Sequence, residues 1–299
     1  MNEESIRSLS VRGVSYAYRL LRHPEPVTEP ALVLGGALQG MFGWPQMDEE
    51  LGPVADVVTA DLPGMGGAEP LPPGPSMEVL CAAILAVIDD LGAPRINLFG
   101  FSYGAGIAFS CAQRFPARIA RLVLGGVPAD VGDPQVHAWQ QAAEHLSQGD
   151  AAAFATLAAE GLLCLDERRY VARRRLAFRY VRRAMLQAAL YSPHAVDSLR
   201  RALTDRPDFA GGLSGIPTLV FSGEHDTVTA PDRQRAFAAT IGGSRFLTIP
   251  DADHWVVLER PQEVAELTAR FFTDEPLETA PALVPAARPE RAAGDPACV

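Results

Sequence analysis

The chain predicts an α/β fold with a mostly parallel sheet and a helical insertion. Three observations carry this. Short apolar segments of strand length alternate with segments of helical pattern along both ends of the 299 residues. The alternation breaks over residues 131–213, where only helices can be read, and resumes at Ile216. One strand-to-helix junction carries the pentapeptide Gly100-Phe101-Ser102-Tyr103-Gly104, in which small residues flank a serine.

Residues 9–21 alternate as a strand or hairpin arm. Ala31-Leu32-Val33-Leu34 is an apolar run ending at Gly35-Gly36, as a buried strand would be, and residues 54–60 form another. A helix is expected over 76–91, with Ser76 as its N-cap and Gly92 just past its end. Strand 95–99 leads into the pentapeptide and a helix over 103–114, which stops near Pro116. Strand 119–124, strand 216–221, helix 231–240, strand 245–249 and helix 261–273 complete the series. From Asp274 onward proline, alanine and charge dominate without period, which predicts a disordered tail over 274–299. The expected organisation is a core of residues 1–130 and 214–273 and a helical cap of residues 131–213. Ligands of open α/β sheets bind at the C-terminal edge of the strands, so the cap would roof the pocket.

The net charge of −10 argues against a nucleic-acid partner. All 26 basic residues are arginine, a bias suggesting a GC-rich bacterial genome. Cys81, Cys111, Cys164 and Cys298 are widely spaced, so neither a metal site nor a disulfide framework is implied. The N-terminus shows no signal-peptide pattern and no run of about 18 apolar residues exists to span a membrane. A cytoplasmic protein is the default expectation.

A serine hydroxyl is a poor nucleophile at neutral pH and needs an adjacent base. Of six histidines, His254 is the best placed, in a loop after strand 245–249 that can reach the serine. Asp226, after strand 216–221, is the candidate to accept the imidazole proton and fix its tautomer. Asp130, after strand 119–124, competes for that role, and Glu224 is a weaker rival. An oxyanion site needs two backbone N–H groups. Tyr103, following the serine, would supply one; Ala37 or Leu38, in the loop after strand 31–34, the other. Leu38, Phe101 and Trp255 are candidate substrate contacts.

These residues resemble the α/β-hydrolase superfamily. The order Ser102, Asp226, His254 is that of its nucleophile, acid and base. Asp61-Leu62-Pro63-Gly64-Met65-Gly66 looks like its loop after an early strand, and Gly35-Gly36 stands where many members have His-Gly. The resemblance covers roughly residues 10–273. It implies acyl transfer through a covalent intermediate on Ser102, with no metal or cofactor. It is poorly specific for substrate, since the fold hosts esterases, thioesterases, peptidases, lactonases, acyltransferases and carbon–carbon hydrolases. A serine at this position argues against the branches that use aspartate.

Residues 168–183 hold eight arginines. They read as a solvated helix face or as a docking surface for an anionic partner, such as CoA or an acyl carrier protein. The stretch from Asp226 through Thr229, Arg233 and Phe237 to His254 and Glu259 is similar to the superfamily's synthase that joins two 3-hydroxyacyl chains for rhamnolipid. The leading expectation is a serine-dependent ester or thioester hydrolase. An acyltransferase with the same triad is the alternative, and a non-catalytic binding protein on this fold a third reading.

Overall fold

The computed structural model describes residues 3–286 apart from 38, 73, 75, 192 and 206. Eight strands form one sheet in the order β1-β2-β4-β3-β5-β6-β7-β8. β1 (Glu3–Val11) and β2 (Val14–Arg22) form a hairpin. Its two-residue turn, Arg12-Gly13, has positive φ at both positions, as a turn matching the strand twist requires. β2 runs antiparallel to β4 (Val57–Asp61). The remaining neighbours are parallel: β4 with β3 (Ala31–Leu34), then β5 (Ile96–Phe101), β6 (Ile119–Gly125), β7 (Thr218–Gly223) and β8 (Arg245–Ile249). β3, β4, β5 and β7 are buried along their whole length, which is why they read as continuous apolar runs rather than alternating ones.

Helices α1 (Pro45–Leu51), α2 (Ser76–Asp90), α3 (Tyr103–Arg114), α8 (Pro231–Ala238), α9 (Val256–Glu259) and α10 (Pro261–Phe272) flank the sheet. Between β6 and β7 the chain makes α4 (Asp133–Ser147), α5 (Ala151–Gly161), α6 (Arg174–Tyr191) and α7 (Pro193–Thr204), and no strand among the described residues. α6 turns Ala177, Val181, Met185 and Ala188 inward, a spacing of three and four residues that gives a helix one apolar face. Ser76 opens α2, but its hydroxyl donates to the Asp205 carboxylate instead of capping the helix.

The segment after α10 departs from its composition. Up to residue 286 it lies against the body: Leu277, Ala280 and Ala282 are buried, and the Arg260 guanidinium donates to the carbonyls of Pro281 and Val284. Composition predicts a free tail here because a few isolated apolar residues make the contact, with no period to reveal them. Residues 287–299 lie outside the described residues. No helix among the described residues is long and apolar enough to cross a membrane.

Candidate active site

β5 delivers Ser102 to the C-terminal edge of the sheet. Its backbone has positive φ, 52° with ψ −119°, a conformation that costs a non-glycine residue about 1–3 kcal/mol and is held by its surroundings. The Ser102 N–H donates to the Gly125 carbonyl at the end of β6 (2.8 Å). The flanking glycines permit the tight approach. A Cβ at Gly100 would stand 2.5 Å from the Gly104 carbonyl oxygen, and one at Gly104 2.4 Å from that of Gly35.

The three residues drawn from distant parts of the sequence meet here. His254, between β8 and α9, places Nε2 3.1 Å from Ser102 Oγ. Its Nδ1 lies 3.0 Å from Asp226 Oδ2, in the turn after β7. Both partners are buried. Asp226 Oδ1 accepts the N–H groups of Val228 (2.8 Å) and Thr229 (2.7 Å), and Oδ2 accepts the Thr229 hydroxyl (2.7 Å). Burial pushes the Asp226 carboxyl up, but the facing imidazole and these hydrogen bonds outweigh it and hold the group below its ordinary range. Burial likewise pulls the His254 imidazole down, and the charge of Asp226 reverses the sign, leaving it above its ordinary value.

The rivals for the acid role lie elsewhere. Asp130 is exposed and pairs with Arg233 (3.4 Å). Glu224 is exposed and accepts the Asp251 N–H. Among the described residues, Glu224, His225 and Asp251 bring potential metal-ligand atoms within 4.8 Å of one another, but outside the cavity lining.

Ala37 lines the cavity beside Gly36 and Ser102, and Tyr103 is the first residue of α3. Leu38 lies outside the described residues. Trp255 lines the cavity. Phe101, expected to touch substrate, is instead fully buried behind the site, its ring centroid 5.4 Å from that of His254 and 5.9 Å from that of Trp255. The side chain of a strand residue just before the turn points into the core, so its role is support.

Several positioning groups were not legible in the sequence. Gln39 accepts the Gly36 N–H through its side chain (3.0 Å) and pins the loop after β3. Asp61, the first residue of the Asp61–Gly66 motif, accepts the N–H groups of Met41 (2.8 Å) and Gly67 (2.9 Å) and joins that loop to the one after β4. Gln234 clamps both backbone groups of Val127 (2.9 and 2.7 Å). Glutamine is common in helices and turns, and no spacing marks Gln39 or Gln234 as different; Asp61 stands in a motif that the sequence shows, but without a role. Thr229 and Glu259 stood out only through a resemblance, without a role.

The cavity above Ser102 is lined by both the sheet edge and the inserted helices. Pro128, Val131, Trp139, Leu157, Leu162 and Val228 make its walls apolar. Gln135 is a polar exception, and no arginine or carboxylate lines it among the described residues.

Residues 30–261 match the alpha/beta hydrolase fold family. The chain belongs to this family and is an enzyme, a hydrolase. It is 24% identical over 269 residues to a 2-hydroxy-6-oxononadienedioate/2-hydroxy-6-oxononatrienedioate hydrolase of Klebsiella pneumoniae, covering 82% of this chain and 87% of that protein. Its fold is similar to that of the enol-lactonase from Burkholderia xenovorans LB400 (TM-score 0.73, 24% identity, 89% of this chain and 100% of that one). It also matches a thermophilic esterase from Thermogutta terrifontis (TM-score 0.69, 24% identity, 89% and 96%).

Proposed function

We propose that this chain is a serine-dependent hydrolase of an uncharged, largely apolar carboxylic ester, thioester or lactone. The observation that carries the reading is the continuous contact Ser102 Oγ–His254 Nε2–Asp226 at 3.1 and 3.0 Å. His254 takes the hydroxyl proton as Ser102 attacks the carbonyl carbon, and Asp226 stabilises the imidazolium that forms. The backbone N–H groups of Tyr103 and Ala37 receive the oxyanion. His254 then gives its proton to the leaving oxygen or sulfur. Water, activated by the same imidazole, releases the acid and restores Ser102. The step needs no metal or cofactor. Residues 131–213 act as the cap over a core of 1–130 and 214–273, and the place of action in this reading is the cytoplasm.

The apolar lining supports the substrate class. The Klebsiella relative is named for dioate substrates, whose carboxylates would enter this cavity without a cation to meet them, at a desolvation cost of several kcal/mol. Neutral esters and lactones carry no such penalty. A turnover panel of neutral ester, thioester, amide, lactone and dicarboxylate substrates tests the reading, with Ser102→Ala as control. Fluorophosphonate labelling that is lost in Ser102→Ala supports it; equal labelling of both refutes it.

A second reading, acyl transfer from CoA or a carrier protein, is favoured by one feature. α6 contains five arginines and no acid, and Arg175, Arg179 and Arg183 form an exposed stripe beside Leu176 and Tyr180. Replacing the three arginines by glutamine should raise KM for carrier-bound acyl groups and leave short esters unchanged. Equal effects on both would remove this reading.

A further inference from the structure

Two buried carboxyl groups next to His254 are unused in the chemistry above. Asp253 is 0% exposed and Glu259 2%. Asp253 Oδ1 accepts the Trp255 N–H (2.9 Å), and Oδ2 accepts the Cys164 N–H (2.7 Å) from the segment between α5 and α6. Glu259 Oε2 accepts the Asp253 N–H (2.7 Å), so the peptide units on both sides of His254 are tied to one or other carboxyl group. Glu259 Oε1 is buried without a hydrogen-bond partner, which an ionised carboxylate tolerates poorly and a protonated one better.

We propose that Asp253 and Glu259 are positioning residues: a carboxyl pair holding one proton, which fixes the backbone around His254 and latches it to the inserted helices at Cys164. It rests on the reading of His254 as the base. Asp253, with two backbone N–H donors, carries the charge, and Glu259 carries the proton. Burial, and then the facing Asp253 charge, push Glu259 well above the usual carboxylate range. The groups facing the pair are the Asp226 carboxylate from the turn after β7, the His254 imidazole, and the Cys164 residue of the insertion. His225 donates its backbone N–H to the Ala252 carbonyl, and its ring lies beside Glu224 and Asp251 at the outer side of this loop. Arg260, next along the chain, is committed to Glu263 and to the carbonyls of Pro250, Pro281 and Val284. Among the described residues, the hydrogen-bond donors shown to the two carboxyl groups are backbone N–H groups, and no arginine pairs with either.

Two variants test this. Glu259→Gln keeps shape, acceptor and a neutral donor. Above the ordinary glutamate range the native wild type retains a proton that its unfolded chain has released, so its stability falls as pH rises until the native group ionises. The amide of the Glu259→Gln variant does not titrate and suffers no such loss. The melting temperature of Glu259→Gln relative to wild type should therefore climb with pH and then level off; a difference that is flat from acid to alkaline pH overturns the pair. Asp253→Asn removes a negative charge that raises the His254 value and leaves one backbone N–H facing an amide. It should lower kcat about tenfold with KM unchanged and move the acid limb of kcat/KM to lower pH. An unmoved acid limb overturns the positioning role. If fluorophosphonate fails to label the wild type, the triad reading falls, while the melting comparison still decides the pair on its own.

Discussion

Replacing Asp226 by asparagine should disable the enzyme through one hydrogen atom. Asparagine fits the same space, so Thr229 and Val228 still direct two N–H groups at the position of Oδ1. Only the amide oxygen can accept them. The amide nitrogen then faces His254 Nδ1, 3.0 Å away in the native enzyme, and donates to it. Nδ1 becomes an acceptor, and the neutral imidazole carries its hydrogen on Nε2, pointed at Ser102 Oγ. A protonated Nε2 cannot take the serine proton. The Asp226 charge that stabilises the imidazolium is lost as well. Together these effects should lower kcat about 10⁴-fold, or about 5 kcal/mol of transition-state stabilisation, with KM nearly unchanged. The assay is steady-state hydrolysis of an aryl ester, with the melting temperature recorded to show that the fold is intact. A folded variant within tenfold of wild-type kcat would refute the assignment of Asp226 and the tautomer argument with it.

The upward shift of His254 sets a pH dependence: the imidazole must be neutral to act as base, so the acid limb of kcat/KM should lie above the ordinary histidine value of about 6.5, and a midpoint at or below that value contradicts it. Thr229→Val removes the hydroxyl that donates to Asp226 and should reduce kcat about tenfold, measured against the same ester. Gly104→Ala forces a Cβ to 2.4 Å from the Gly35 oxygen and 2.7 Å from that of Leu34, and should destabilise the protein by about 3 kcal/mol in urea unfolding. Gln234→Ala leaves the buried N–H and carbonyl of Val127 unpaired and should cost about 2–3 kcal/mol by the same measurement.

Much of the fold was readable because buried parallel strands and amphipathic helices leave different periods in the chain. β3, α3 and β8 fall where the sequence places them, and four helices fill the interval between β6 and β7. Short elements escaped: α1 and α9 are seven and four residues long, too few for a period to emerge. β1 reaches back to Glu3 because its outer edge is polar and it is stabilised by pairing with β2, which local pattern does not record. In the site, Phe101 was misplaced because its neighbour is the serine; which way a side chain leaves the last residue of a strand depends on the turn that follows.

The sequence by itself determined the chemistry available: a serine at a strand end with a glycine two residues away on either side, a histidine and an aspartate each on a loop after a later strand. Those are local properties, and parallel strands send all such loops to one edge. Only the tertiary structure decided which acid faces the imidazole. Asp226 meets it at 3.0 Å while Asp130 turns out to Arg233, because the choice rests on hydrogen bonds from Val228 and Thr229 that aim one carboxylate inward. It also brought Asp253, Glu259 and Cys164 together, since contacts across 89 residues of chain are made by packing and leave no mark in spacing.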